Sequence, residues 1–133
     1  MKALILNSGL GHRMGVLTSE QPKCMTDISH RNTILSRQLR QCVDYGIEEV
    51  VMTTGYYDQV LIDYCNFLHL PLKISFVNNP IYDKTNYIYS IHCARELLRD
   101  DDILLMHGDL VFENEVLDLL LAAPSRSLSA FSA

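Results

Sequence analysis

The sequence predicts an α/β fold, a doubly wound and mostly parallel sheet whose four principal strands run in the order 3-2-1-4. Three observations carry this. Short apolar or β-branched runs alternate with segments of helical period along the 133 residues. A glycine-rich turn follows the first apolar run directly, and Gly, Pro and Asn mark most changes of period.

Residues 1–6 form the first strand, an unbroken apolar run suited to burial on both faces. A long loop follows, because Pro22 sits where a crossover helix should already be running. Residues 32–45 then place Ile34, Leu35, Leu39, Cys42 and Val43 on one helical face, and Gly46 ends the helix. Residues 49–54 are a β-branched second strand. The next helix, 58–68, turns Val60, Leu61, Tyr64, Cys65 and Leu68 inward and exits at Pro71. Residues 73–77 make the third strand and 87–99 a third helix, with Ile88, Ile91, Leu97 and Leu98 buried. Residues 102–106 form the fourth strand, and 113–122 a last helix.

The first loop carries the chemistry. Asn7-Ser8-Gly9-Leu10-Gly11-His12-Arg13 leaves the first strand, and Pro22-Lys23-Cys24 closes the loop. Backbone N–H groups freed at such a turn can face a phosphate, and glycine lets the chain come close. Arg13 offers a bidentate grip and Lys23 a point charge, so the expected ligand is a nucleotide. A nicotinamide-binding fingerprint fits poorly. Gly15 lies one position beyond the third glycine of that pattern, and residues 50–55 offer no carboxylate for a ribose.

In the 3-2-1-4 order the first and fourth strands are neighbours, and ligands bind beyond their C-terminal ends. Asp109 leaves the fourth strand at that mouth, where it is either a magnesium ligand or the cap of a turn. Asn86 is either a ligand contact or the cap of the third helix.

Composition narrows the class. The chain is 48% hydrophobic and 20% charged, with a formal net charge of -5. That balance disfavours nucleic acid or an anionic membrane surface as partner. With no apolar run long enough to span a bilayer and no signal-peptide pattern, the cytoplasm is the expected location. Cys24, Cys42, Cys65 and Cys93 lack metal-ligand spacing and read as free thiols, with Cys42, Cys65 and Cys93 on buried helix faces.

The run LNSGLGHRMG with PKCM resembles the signature loop of the nucleotidyltransferases that activate sugar phosphates and phosphorylated alcohols. Asn78-Asn79-Pro80, Thr85-Asn86-Tyr87-Ile88-Tyr89-Ser90 and Leu104-Leu105-Met106-His107-Gly108-Asp109 follow in order and are similar to the phosphocholine cytidylyltransferase-like branch. Asn7 and Ser8 depart from the commoner Ala-Ala. The resemblance implies a Rossmann-like nucleotidyltransferase fold and transfer of CMP from CTP, or another nucleoside triphosphate, to phosphocholine, a related phospho-alcohol or a sugar phosphate. It implies catalytic roles for Arg13 and Lys23 and nucleotide contacts from Asn7, Ser8, Gly9, Leu10, Gly11, Arg13, Lys23 and Asn86. It also implies Mg2+ on Asp109.

Family members are usually nearly twice this length. Residues 1–123 are therefore expected to be the nucleotide-binding part of the domain, and residues 124–133 a low-complexity or truncated end. A fourth strand left at the sheet edge invites pairing with another chain, a homo-oligomer included. Such a chain could also be a binding or regulatory module without turnover.

Overall fold

The structure, a computed structural model, describes residues 1–8, 22–29 and 32–122. Its main sheet has four strands, β1 (Lys2–Asn7), β4 (Glu49–Thr54), β5 (Lys73–Asn78) and β6 (Ile103–His107), in the order β5-β4-β1-β6. This is the expected 3-2-1-4 arrangement. Every pairing within it is parallel: Lys2 to Asn7 match Glu49 to Thr54, Lys2 to Leu6 match Ile103 to His107, and Glu49 to Thr54 match Lys73 to Asn78.

The central strand β1 is buried on both faces, which is why it reads as continuous apolar sequence. Side chains alternate across a strand. Ala3 and Ile5 therefore join one core cluster, while Leu4 and Leu6 join another. The larger cluster includes Leu35 and Leu39 of α1 (Ile34–Asp44), Leu61 and Cys65 of α2 (Asp58–Leu68), and Leu117 of α4 (Asn114–Ala122). The smaller one holds Val51 and Ala94 as well, with Ile91 of α3 (Tyr87–Cys93) packed against it.

Several expectations are corrected. The long loop contains a 3-10 turn, Lys23–Met25, and a small antiparallel sheet of β2 (Asp27–Ser29) and β3 (Asn32–Thr33), so Asn32 and Thr33 do not open the helix. Thr33 caps α1 instead: its Oγ1 accepts from the Ser36 N–H at 3.0 Å, and the Ser36 hydroxyl accepts from the Thr33 N–H at 2.9 Å. Gly46 lies just past the helix with φ +76, a backbone that side-chain-bearing residues rarely adopt.

The third helix is shorter than its apolar pattern suggests. It ends at Cys93 and continues as a 3-10 turn over Arg95–Leu98, where buried Ala94 packs against the sheet and donates its N–H to both Ser90 and Ile91. The tighter pitch leaves Leu97 exposed, and Ile88 in the first turn of α3 is exposed as well, beside the small core on this face. Cys93 is half-buried, as is Val43 of α1, and Val60 of α2 is exposed.

Candidate functional site

Beyond the C-terminal ends of β1 and β6 lies a cleft of about 250 Å³. Asn7 and Ser8 line it from β1, His107, Gly108 and Asp109 from β6, and Asn86, Tyr87 and Ser90 from the start of α3. Asn79, Tyr82 and Thr85 complete the α3 side, while Pro22 and Cys24 bracket Lys23 on the other. Residues far apart in sequence meet here because parallel neighbours end at one edge.

Asn7 is the most constrained of these. Its backbone N–H donates to the Thr53 hydroxyl at 3.2 Å, and its side chain lies over Gly108, where any Cβ would overlap the Asn7 amide. The Gly108 N–H donates to the Leu6 carbonyl at 3.0 Å, extending the β1–β6 pairing by one bond. Among the described residues the Asn7 Nδ2 group is buried without a partner, in a side chain that lines the cleft. A buried donor left unmatched costs stability unless a ligand or water receives it.

Ser8 is held on two sides. Its carbonyl packs on Gly55, where a Cβ would overlap it, and its hydroxyl accepts from Ser90 at 2.8 Å. Asn86 does cap α3, with its Oδ1 accepting from the Ile88 N–H at 3.0 Å, and it also lines the cleft. Tyr87 meets His107 edge to face at 5.1 Å. Tyr56 packs against both Tyr57 and Tyr82, at 4.9 and 6.4 Å between ring centres.

Asp109 is exposed and lines the same cleft. The loop that carries it hangs from α1. Gln38 Nε2 donates to the His107 and Leu110 carbonyls at 2.9 and 3.0 Å, Arg37 donates to the Phe112 carbonyl at 2.9 Å, and Gln41 Nε2 donates to Phe112 at 3.1 Å and to Asn114 Oδ1 at 3.0 Å. Sequence reasoning missed these supports. The available signal was Gln38 and Gln41 interleaved with Leu35, Leu39 and Cys42, since polar groups on a buried face need partners.

The structure thus brings together Asn7, Ser8, Asn86 and Asp109. Lys23 is placed through its backbone, opening the 3-10 turn between Pro22 and Cys24. Gly9, Leu10, Gly11, His12 and Arg13 lie outside the described residues. Cys24 is buried, and burial pushes its thiol well above the usual range, which makes it a poor nucleophile. Among the described residues no group of three or more His, Cys, Asp or Glu could hold a metal by itself. Nor is any described helix long and apolar enough to cross a membrane.

A family model described as the MobA-like NTP transferase domain matches residues 3–131. The CMP-5'-(3-aminopropyl)phosphonate synthase of Streptomyces rubellomurinus is 37% identical over 99% of this chain, which spans 21% of that protein. The CTP:phosphoglutamine cytidylyltransferase of Campylobacter jejuni is 30% identical over 92% of this chain, which spans 49% of that protein. The chain thus spans about half or less of the length of these relatives. Among solved structures, the CTP:phosphocholine cytidylyltransferase of Streptococcus pneumoniae aligns with TM-score 0.67 and 26% identity, over 81% of this chain and 44% of that one. The inositol-1-phosphate CTP transferase of T. maritima shares the fold at TM-score 0.73 and 21% identity, over 88% of this chain and 46% of that one.

Proposed function

The chain belongs to the MobA-like NTP transferase domain family, and from that premise we propose that it forms the nucleotide-binding part, residues 1–123, of a cytidylyltransferase. The reaction transfers CMP from CTP to a small phosphorus acid and releases pyrophosphate. The observation that carries this reading is the cleft lined together by Asn7 at the end of β1, Ser8 just past it and Asp109 of the loop after β6. CTP is preferred over other triphosphates because two relatives at 30% identity or more carry CMP or CTP in their names. Their names also share an acceptor class, a compact molecule bearing an amine and a phosphate or phosphonate. Phosphocholine is a related small phosphate that carries a quaternary ammonium in place of the amine, and a sugar phosphate is the runner-up.

An acceptor oxygen attacks the α-phosphorus of CTP, a new P–O bond forms, and the bond to the bridging oxygen of the β-phosphate breaks. No covalent intermediate on the protein is required. Asn7 Nδ2 and the Ser8 hydroxyl donate to phosphate oxygens, and Gly9, Leu10 and Gly11 add nucleotide contacts. Arg13 and Lys23 hold the triphosphate and stabilise charge on the departing pyrophosphate. Asn86, exposed at the head of α3, contacts the nucleotide from the opposite wall.

The donor set also fits magnesium. One carboxylate, Asp109, faces a cleft whose other described donors would leave phosphate oxygens to fill the coordination sphere, the arrangement this ion favours. When bound there, Mg2+ would neutralise phosphate charge near the reacting bond.

The test is a pyrophosphate-release assay on the protein with each of four nucleoside triphosphates, against aminoalkylphosphonates, phosphocholine and sugar 1-phosphates. Release with CTP and a small amine-bearing acceptor supports the assignment. Release only with UTP or GTP and a sugar phosphate would overturn it. Tight CTP binding without release for any acceptor would favour a binding module.

A further inference from the structure

Asn79, just past β5, is 1% exposed and every bond of its side chain is internal. Its Oδ1 accepts from the Ile81 N–H at 3.0 Å, which fixes the orientation of the amide. The Nδ2 group therefore donates twice, to the Thr85 hydroxyl at 3.0 Å and to the Ser90 hydroxyl at 3.1 Å. A hydroxyl that accepts from an amide must direct its own proton elsewhere. Thr85 sends its proton to the Ile81 carbonyl at 2.9 Å, and Ser90 sends its proton to Ser8 Oγ at 2.8 Å. Ser8 in turn receives a proton, and among the described residues its own O–H meets no acceptor. Ser8 lines the cleft beside Asn7, whose Nδ2 is also an unmatched donor among those residues.

We propose that Asn79, acting through Ser90, is a positioning residue that fixes the Ser8 hydroxyl as a donor toward a phosphate oxygen of the bound nucleotide. The inference deepens the nucleotidyltransferase reading and rests on it. The buried amide imposes one direction on a chain of three hydroxyl or amide groups running from the β5–α3 loop to the end of β1. The cleft then presents protons, rather than lone pairs, to an anion.

Asn79→Asp tests this with little change of shape. The carboxylate accepts where the amide donated, so the chain reverses and Ser8 turns a lone pair toward the phosphate. CTP affinity, measured by titration calorimetry in the presence of Mg2+, should fall about tenfold or more. In a Ser8→Ala background the same change should cost less than about twofold, because no hydroxyl remains to reverse. Relative to wild type at each pH, affinity of the Asn79→Asp protein should recover as the pH falls, since a protonated acid donates again. Equal losses in both backgrounds would mean that the added charge acts directly and would overturn the proposal. If Asn79→Asp does not fold, Ser90→Ala replaces it in the same cycle with the same criterion. A wild-type protein that binds no nucleoside triphosphate would sink the cytidylyltransferase reading itself. Wild-type binding with an additive cycle would sink only the positioning role.

Discussion

The Asn7 side chain occupies the space over Gly108 in which a Cβ would have to sit, so two parallel strands end in mutual contact at the floor of the cleft. A side chain on one strand and its absence on the other form a single fitted pair. Gly108→Ala should therefore displace Asn7, lower the unfolding midpoint and weaken CTP binding together. Because the overlap is with a side chain as well as with the Leu6 carbonyl, Asn7→Ala added to Gly108→Ala should restore part of the stability but none of the affinity. Thermal unfolding and calorimetry on the four proteins of that cycle check it. A Gly108→Ala protein of unchanged affinity would refute the role given to Asn7.

Asp109 is exposed, so its substitution should separate activity from folding. Asp109→Asn removes a carboxylate while keeping the shape, and turnover should fall by about a hundredfold to a thousandfold, the usual cost of losing one contact to developing charge. The unfolding midpoint should change far less than the turnover, because an exposed side chain contributes little to packing. Steady-state rates over a magnesium titration, paired with thermal unfolding, make the comparison. Retained activity at every magnesium concentration would remove Asp109 from the metal site.

Gln38 is 1% exposed and ties α1 to the loop that presents Asp109. Gln38→Met keeps the volume but leaves the His107 and Leu110 carbonyls without their donor, at a cost of about 1–3 kcal/mol in stability. Loosening that loop should lower kcat more than it raises KM for CTP, since Gln38 itself lies outside the cleft. Urea unfolding and steady-state kinetics read the two effects separately. An unchanged kcat would mean that α1 supports the fold without positioning the loop.

The buried thiols give stability a direction with pH. Burial pushes Cys42 and Cys65 from the ordinary 9.0 up to about 12. Above pH 9 the unfolded chain gives up these protons while the folded chain keeps them. The thiol contribution is therefore full below about pH 9 and is lost as pH rises toward about 12. The urea midpoint should fall across that window, and the fall should be shallower when Cys42 and Cys65 are both replaced by alanine. Equal slopes would show that other groups govern alkaline unfolding.

The sequence by itself determined the succession of strands and helices and the sheet edge at which the cleft opens. Residues 49–54 and 58–68 carry unambiguous strand and helix periods, and the apolar run of β1 announces burial on both faces. Those are local signals, written in neighbouring residues. The turn after the fourth strand at Gly108-Asp109 was legible for the same reason.

What only the tertiary structure decided involves partners distant along the chain. The period of residues 87–99 promised one helix, but beside the small core on that face it ends at Cys93, and Ile88 is exposed. Thr33 looked like helix interior until its capping box with Ser36 and the pairing of β3 with β2 were seen. The same holds for Gln38 reaching His107, Asn79 reaching Ser8 through Ser90, and Asn7 filling the space over Gly108. Periodicity reports which face of an element avoids water. A hydrogen bond or a steric fit between elements is fixed only when packing brings both groups to one place.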